Sequence, residues 1–384
     1  MFVVAGVVVG AAAPPTLAAS PSSVDRGSDA RCAEAGGRTA AVGETTTVCV
    51  GFRRADAAGV VRKFRELAAT RRAGGPVVLA SGWGPDPTPG DIPAECETDA
   101  TRVTMCAAGT VWGNILDTRG RIVGRADVNV LFGAALSNKS LNWRVKAKAV
   151  VSTATGVAAL GTINAVARCS GGCSVSAGAS TPLPLRVGDF MQGFWDVSST
   201  KPGTTPVVST QSVLFTFAAP TVAGVGQALT PAIGTVRCDN SATIGSIGAG
   251  CVYPAVNPVF LLNGAAAPAS PIHAAFVKSA LAAGKPGNPG GVPLTRLYDE
   301  AKANANRAAA CKNFVPNPSP PGTPAHLRDS CDEFPFAKTF EGGANSATGH
   351  VPLGDNTNGG NKYATFIKEN RLFEGEKFFI VVVG

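Results

Sequence analysis

The sequence predicts an α+β C-terminal domain preceded by an all-β, sandwich-like accessory domain. Between residues 121 and 235, apolar residues recur with a period of two, which is typical of half-buried antiparallel strands. Beyond residue 294 the period becomes helical, and the chain then ends in an unbroken apolar run. Glycine and proline number 46 and 28 among the 384 residues, which favours strands and turns over long helical bundles.

Composition and charge narrow the classes of function. A hydrophobic content of 45% with 16% charged residues argues against a disordered chain, and the length predicts two or three domains. Lys and Arg exceed Asp and Glu by 34 to 26, and the resulting charge of +8 suits either a polyanionic partner or simple solubility. Because the chain has only 3 histidines, a zinc site built from several imidazoles is not expected.

The N-terminus has the pattern of an export signal. Residues 1–13 form an uncharged apolar run, and small residues around Ala19 resemble a signal-peptidase cleavage site, although a basic leading segment is missing. The run is shorter than the roughly 20 residues that a membrane-spanning helix needs. We therefore expect a signal peptide over residues 1–20 and a secreted protein without stable membrane insertion.

The cysteines are even in number and fall into neighbouring couples along the chain. The chain contains no Cys-x-x-Cys pair, so the usual zinc-ribbon and thioredoxin spacings are absent. Local disulfides in an oxidising compartment are the favoured interpretation, and ten reduced structural thiols are the alternative. The disulfide candidates are Cys32, Cys49, Cys96, Cys106, Cys169, Cys173, Cys238, Cys251, Cys311 and Cys331.

Residues 21–120 are predicted to be an irregular, disulfide-containing region with one amphipathic helix over residues 57–73. The basic residues of this helix indicate a phosphate- or membrane-binding face or, as we favour, a solvated surface. In the accessory domain, residues 142–151 alternate as a half-buried strand. Its basic residues are expected on the exposed face, as edge protection or as contacts to a polyanion: Arg144, Lys146 and Lys148.

The C-terminal domain is predicted to cover residues 236–384. An Ala/Pro/Gly-rich linker over residues 264–291 precedes a helix over residues 294–312, which a proline-rich loop ends. A short helix around residues 362–369 follows. The terminal strand, residues 377–383, is uniformly apolar and is therefore expected to be central and covered on both faces.

An acidic cluster is the main candidate for chemistry. Asp332 and Glu333 are adjacent, and Glu341 follows eight residues after Glu333. Carboxylates held together repel unless a cation compensates them, and Mg²⁺ or Mn²⁺ prefers oxygen ligands. The alternative is ordinary, with Asp332 capping a turn and both glutamates solvated. Phosphate-binding loops, nucleophile elbows and HExxH zinc motifs are absent from the sequence.

The residues around this cluster resemble a known family. Residues 331–343 read Cys-Asp-Glu-Phe-Pro-Phe-Ala-Lys-Thr-Phe-Glu-Gly-Gly, which resembles the Cys-Asp-Glu-Tyr-Pro-Phe-Ala-Ser-Thr and Glu-Gly signature of the NucA/NucB family of secreted bacterial deoxyribonucleases. Phe334 and Lys338 replace the family's Tyr and Ser. Further similar segments follow in the family's order, within a resemblance that covers about residues 237–384: Asn306-Arg307 with Cys311, Val351-Pro352, Asp355-Asn356 and residues 371–378.

The resemblance implies a metal-dependent endonuclease that acts on DNA with little sequence preference. It implies a divalent ion, Mg²⁺ or Mn²⁺, held by Asp332, Glu333 and Glu341, which also activate water, while Asn356 orients a phosphate or a metal-bound water. The residues expected to contact the DNA backbone are Arg307, Lys338, Lys362 and Arg371. His326 and His350 flank the acidic segment and are candidates for a general base, but exposed loop histidines are the favoured interpretation.

Two other functions stay open at this point. One is a secreted surface- or polysaccharide-binding protein in which the C-terminal domain is only a disulfide-stapled scaffold. The other is an effector toxin with a nuclease at its end. In each case the protein is expected to be a monomer.

Overall fold

The structure, a computed structural model, describes residues 32, 38–42, 46–71, 96 and 100–383 without 181, 204, 221–224 and 246. The predicted signal peptide lies outside the described residues. Within this part the chain is mostly β-structure with four α-helices, which confirms the predicted predominance of strands. No helix of the described residues is long and apolar enough to cross a membrane.

The first sheet has seven antiparallel strands in the order β1-β2-β3-β4-β5-β9-β7. They are β1 (Arg38–Val42), β2 (Thr46–Arg54), β3 (Thr104–Asp117), β4 (Ile122–Ala135), β5 (Asn142–Gly156), β7 (Cys173–Ser180) and β9 (Phe190–Ser199). The second sheet has six antiparallel strands in the order β13-β12-β10-β6-β8, with β11 also pairing with β10. They are β6 (Thr162–Gly171), β8 (Leu183–Pro184), β10 (Val207–Ala218), β11 (Val225–Leu229), β12 (Thr235–Asp239) and β13 (Gly250–Val252).

These two sheets, named here the two-sheet region, share one hydrophobic core. Alternate residues of β10, such as Phe215, are buried in the same cluster as Phe132 and Trp143 of the first sheet. This alternation is the pattern that a sheet with one covered face requires.

The helix predicted over residues 57–73 is confirmed as α1 (Ala57–Arg71). It buries Phe64 against Leu131 and Val150, on the face of the first sheet that points away from the shared core. Lys148 lies on the same face of β5 and is 0% exposed, so the prediction of an exposed Lys148 is wrong. The reason is that α1 covers this part of the sheet.

The prediction of an irregular region over residues 21–120 is also wrong for its described part, which contains α1 and three strands. In β3, consecutive residues from Val111 to Leu116 are buried. A strand that is covered on both faces loses the alternation by which strands are recognised from sequence.

The C-terminal part is built on a three-stranded sheet in the order β14-β18-β15. Its strands are β14 (Val259–Asn263), β15 (Leu294–Thr295) and β18 (Lys377–Val383), with β14 parallel to β18. The helices are α2 (Pro271–Ala282), α3 (Glu300–Ala310) and α4 (Leu353–Glu369). A separate antiparallel pair is formed by β16 (Asp329–Phe334) and β17 (Ala347–Pro352). The cluster that joins α2 and α4 to the sheet includes Val277, Phe366 and Phe378.

Several predicted elements of this part need correction. The supposed linker, residues 264–291, contains α2, because an alanine-rich helix has the composition of a linker. The helix predicted from residue 294 begins at Glu300, where the side chain of Asp299 caps it by accepting the N–H of Lys302. The short helix near residue 362 extends back to Leu353.

The terminal strand has the predicted bounds and is central, but only one of its faces is covered. Phe378 and Ile380 are buried, whereas Phe379 and Val381 are half-buried and Val383 is exposed. The expectation of cover on both faces is therefore wrong, because α2 and α4 pack on the same side of this sheet.

A buried arginine network joins the two-sheet region to the turn after α4. Arg371 is fully buried and binds both carboxylate oxygens of Asp239, at 3.1 Å from Nε and 2.6 Å from Nη2. Arg102 and Arg237 both bind the carboxylate of Glu376. The hydrogen bonding of β12 to β10 also crosses the boundary expected at residue 236, so the domain limits stay a prediction.

All ten cysteines are paired, each with its neighbour along the chain, as the sequence predicts. The disulfides are Cys32–Cys49, Cys96–Cys106, Cys169–Cys173, Cys238–Cys251 and Cys311–Cys331.

Candidate active site

A cleft of about 700 Å³ runs along α4 in the C-terminal part. One side is α4 itself, and the other is formed by β16, the start of α2 and the segment from Arg296 to Arg307. Residues 243–245 of the two-sheet region close one end. The acidic cluster of β16 lies on the wall of this cleft, which makes it the candidate active site.

A buried histidine and aspartate form a pair on this wall. Nδ1 of His273, on α2, lies 2.6 Å from Oδ2 of Asp332, on β16, and both residues are buried. The carboxylate accepts a hydrogen bond from the Nδ1–H of the ring, and in the neutral imidazole this leaves the lone pair on Nε2. Nε2 is buried and has no hydrogen-bond partner among the described residues. An unpaired buried nitrogen on a residue of the cleft wall can accept a hydrogen bond from a water molecule or a ligand.

The ring of His273 is held between an aromatic side chain and a glycine. It stacks on Phe336 with ring centroids 6.0 Å apart and an interplanar angle of 15°. On the other helix, a Cβ atom at Gly359 would lie 2.3 Å from Cδ2 of His273. Because any larger residue would collide with the ring, Gly359 allows α4 to pass close to the histidine.

Glu333 is the second buried acid of the cleft. Burial raises its pKa to about 7, and the neighbouring charge of Asp332 acts in the same direction, while the Arg307 guanidinium opposes it. Oε1 of Glu333 lies 3.7 Å from Nε of Arg307 and accepts the N–H of Ala337 at 3.4 Å. Near neutral pH this carboxyl is therefore present in both protonation states and can donate a proton.

Asn356, Arg307 and Lys338 also line the cleft, together with Asp332 and Glu333. The side-chain amide of Asn356 donates to the carbonyl of Cys331 at 3.0 Å, which ties α4 to β16. Arg307 is 48% exposed on its side chain, and Lys338 pairs with Glu300 at 2.8 Å on the rim. Five of the residues predicted from sequence are thus brought together.

Three predicted site residues lie elsewhere. Oε2 of Glu341 accepts the N–H of Thr295 at 2.9 Å, and this residue does not line the cleft. The amino group of Lys362 is bound by the carbonyl oxygens of Asn263 and Ala266, so its expected contact with DNA is not available. Arg371 is buried in the network with Asp239, and its assignment to substrate is wrong for that reason.

The three predicted metal ligands do not form one site. Both oxygens of Asp332 are engaged, Oδ2 with His273 and Oδ1 with the N–H of Glu333, and Glu341 points to another element. In the described part of the chain, no group of three or more His, Cys, Asp or Glu side chains is placed to hold a metal ion. The predicted three-acid ligand set therefore does not fit this arrangement.

The histidine of the cleft is not one of the two considered from the sequence. His350 is exposed and binds Asp329 at 2.6 Å, and His326 is exposed next to α4, and neither lines the cleft. His273 was missed because its segment resembled a linker. Two sequence signals indicate this helix. Pro271 suits the first helical position, and His273, Val277 and Leu281 recur at a spacing of four residues, which places them on one helix face.

Comparison with known proteins agrees with this location. Residues 281–381 match the sequence profile of the Deoxyribonuclease NucA/NucB family. No curated protein matches the chain significantly. The match includes Asp332, Glu333 and α4, and it begins eight residues after His273. Over residues 281–381 the C-terminal part of the chain is thus similar to the NucA/NucB deoxyribonuclease family, and this similarity supports a nuclease domain.

Proposed function

We propose that this protein is a secreted, metal-dependent endonuclease that hydrolyses DNA phosphodiester bonds with little sequence specificity. The observation that carries the proposal is the buried pair of His273 and Asp332 on the wall of the cleft, in which Nε2 of the histidine has no partner among the described residues. Hydrolysis of a phosphodiester requires a base that takes a proton from water, and an imidazole with an orienting carboxylate is such a base.

In the proposed reaction His273 acts as the general base. Its Nε2 accepts one proton of a water molecule, whose oxygen forms a bond to phosphorus while the bond to the leaving oxygen breaks. Asp332 keeps the proton on Nδ1 and stabilises the imidazolium that forms, as carboxylates do for histidines in hydrolases. Since both side chains are buried, this orientation is maintained without competition from solvent.

Glu333 is proposed to protonate the leaving oxygen. Its raised pKa provides a neutral carboxyl near pH 7, and Arg307 beside it can neutralise charge on the phosphate. The proton that Glu333 gives up is recovered from the solvent, and that of His273 is returned to it, so the cycle closes. Arg307 and Lys338 would meet the backbone rather than the bases, which accounts for low sequence specificity.

Metal dependence is proposed from the resemblance to the family. The arrangement of Asp332, Glu333 and Glu341 does not support a site of these three acids, and no step above depends on the ion. Its test is nicking of supercoiled plasmid with Mg²⁺ or Mn²⁺, with and without EDTA. Activity that survives EDTA and dialysis would contradict metal dependence and leave the proposed base in place.

The base assignment is tested with His273→Ala and Asp332→Asn in the same plasmid assay. Loss of a general base lowers rates by about 10²- to 10⁴-fold, so both variants should be at least a hundredfold slower. Equal nicking by wild type and both variants would refute the assignment. Absence of nicking by the wild type under all metal conditions would refute the proposed activity.

Gly359→Ala and Gly360→Ala provide a matched pair. Both glycines lie in α4, where alanine is favoured by up to about 1 kcal/mol. A Cβ at Gly359 collides with the ring of His273, whereas a Cβ at Gly360 meets no atom within 4 Å. We expect Gly359→Ala to lose activity and Gly360→Ala to retain it. Equal activity of the two would show that the position of His273 does not matter.

The two-sheet region, which contains the predicted accessory domain, is proposed to support the nuclease domain structurally. Its Arg102 and Arg237 bind Glu376, at the turn that follows α4.

Export to an oxidising compartment is supported by the five disulfides. It is tested by comparing DNase activity in the medium with that in washed cells, and the expected monomer by size-exclusion chromatography.

A further inference from the structure

The cleft continues well beyond the catalytic pair. Gly359 is the point where α4 passes His273, and Lys368 lies nine residues further along the same helix. At a rise of 1.5 Å per residue this separation is about 14 Å. One DNA strand with stacked bases advances about 3.4 Å per nucleotide, so for such a strand the far end of the cleft lies about four nucleotides from the reacting phosphate.

Two exposed side chains of different character line this far end. Tyr298 is 47% exposed, although tyrosines with a large apolar ring are usually more buried, and Lys368 is exposed on α4. An aromatic ring can stack on any nucleobase, and a lysine attracts any phosphate. Neither side chain is part of the proposed chemistry at His273.

The two-sheet region lies directly beside Lys368 and reaches Tyr298 through Arg296. Residues 243–245, which lie between the paired Cys238 and Cys251, line this end of the cleft. Gly245 is so close to Lys368 that a Cβ there would be 2.7 Å from Cε of the lysine. The Arg296 guanidinium lies 5.4 Å from the ring of Tyr298 and donates to the carbonyl of Thr243 in the same segment.

Arg296 acts as a fixed support for the tyrosine. It is buried and also donates to the carbonyl of Leu372, so its guanidinium is held by two backbone oxygens. Burial lowers its pKa, and the neighbouring Tyr363 and Tyr298 oppose this effect. A ring beside a pinned cation has a defined position before substrate binds, which reduces the entropy lost on stacking.

We propose that Tyr298 and Lys368 form a distal subsite for the DNA strand, in which the ring stacks on a base and the ammonium contacts a phosphate about four nucleotides from the cleaved bond. This proposal rests on the proposed nuclease function and adds how the protein binds DNA substrates of several nucleotides. Because the subsite is remote from the reacting atoms, its loss should weaken binding of long substrates and leave the chemical step unchanged.

The test compares a substrate that reaches the subsite with one that does not. The long substrate is a 20-nucleotide single strand, and the short one is the p-nitrophenyl ester of thymidine 5′-phosphate, both with Mg²⁺. Tyr298→Ala should raise KM for the 20-mer about tenfold, since stacking on one base contributes about 1–3 kcal/mol. Tyr298→Phe should retain the wild-type KM, and kcat/KM for the ester should be equal in all variants.

Lys368→Gln is compared with Lys278→Gln, because both lysines are exposed on helices but only Lys368 lines the cleft. Lys368→Gln should raise KM for the 20-mer and lower the salt dependence of binding by about 0.7 in the slope of log K against log salt. Lys278→Gln should change neither. An equal effect of both substitutions would overturn the role of Lys368.

Binding is measured separately from cleavage, by fluorescence anisotropy of a labelled 20-mer in EDTA. If Tyr298→Ala leaves both KM and the Kd of the 20-mer unchanged, or raises KM for the ester equally, the subsite is wrong. If the wild type cleaves neither substrate, the proposed function fails, and the anisotropy still decides on the subsite: weaker binding by Tyr298→Ala supports it, and equal binding overturns it.

Discussion

Replacing Glu333 with Gln is expected to stabilise the folded protein at pH 8 and to leave its stability nearly unchanged at pH 4.5. Burial raises the pKa of this carboxyl from its ordinary 4.5 to about 7, with Asp332 adding to the rise and Arg307 opposing it. The folded protein therefore binds a proton more tightly at this site than the unfolded chain does.

The sign and size of the effect follow from proton linkage. A raised pKa in the folded state contributes stability that is fully present below about pH 4.5 and is lost as the pH rises through about 7. The difference between 4.5 and about 7, at about 1.4 kcal/mol per pH unit, corresponds to about 3 kcal/mol. Gln resembles the protonated carboxyl at every pH, so the variant avoids this cost above pH 7.

The assay is urea unfolding followed by circular dichroism under non-reducing conditions, at pH 4.5 and pH 8. Glu300→Gln is the control, because Lys338 lowers the pKa of the exposed Glu300 and the change should be small and of opposite sign. If the gain from Glu333→Gln is the same at both pH values, burial does not raise the pKa of Glu333. Because Glu333 is the proposed acid, the stabilised variant should also lose activity.

Three further predictions concern stability. Arg371→Leu removes the two short hydrogen bonds to the buried Asp239, leaving it the Nε of Arg237 at 3.5 Å, and should cost about 3–5 kcal/mol in urea unfolding, whereas replacing an exposed arginine should cost little. Phe378→Ala opens a cavity in the C-terminal core and should cost about 3–5 kcal/mol, so a loss below 1 kcal/mol would mean that the core closes around it. Replacing Cys311 and Cys331 with Ser removes a loop constraint over 20 residues and should cost about 3 kcal/mol, with unchanged stability contradicting that disulfide.

The periodicity of apolar residues correctly predicted those helices and strands that are buried on one face only. β5 alternates between buried and more exposed residues over its first six positions, and α1 has an apolar stripe, so both were located correctly. One face of β3 is covered by the second sheet, and the other is covered by α1 at Ala108 and by the Cys32–Cys49 disulfide at Trp112. Its buried residues are therefore consecutive and carry no periodic signal. The limit is physical, since alternation records a difference between two faces and disappears when both are buried.

The start of α4 was predicted too late in the sequence for a different reason. Gly354, Gly359 and Gly360 favour a loop, and only the later part of the helix was therefore expected. The structure explains Gly359, because α4 must pass His273 at a distance that excludes a Cβ. The close approach depends on tertiary packing between residues 86 positions apart, which local sequence patterns cannot contain.

The candidate site was predicted only in part for the same reason. Motif resemblance located Asp332, Glu333 and Asn356, which lie on two neighbouring elements of the cleft. It also selected Glu341, whose carboxylate caps the backbone of Thr295 instead. The motif resemblance therefore identified the segment that contains the candidate active site. It could not predict which way each carboxylate points, because that depends on tertiary packing.

The residues that match the family are not the same set as the residues that form the candidate active site. The matched residues 281–381 exclude His273, the one buried imidazole among the described residues, although its partner Asp332 lies inside the match. They also exclude residues 243–245, which line one end of the cleft. Without His273, Asp332 has no proposed base to orient. Without residues 243–245, one end of the cleft is open. The nuclease function proposed here therefore depends on residues from α2 and from the two-sheet region as much as on the matched segment.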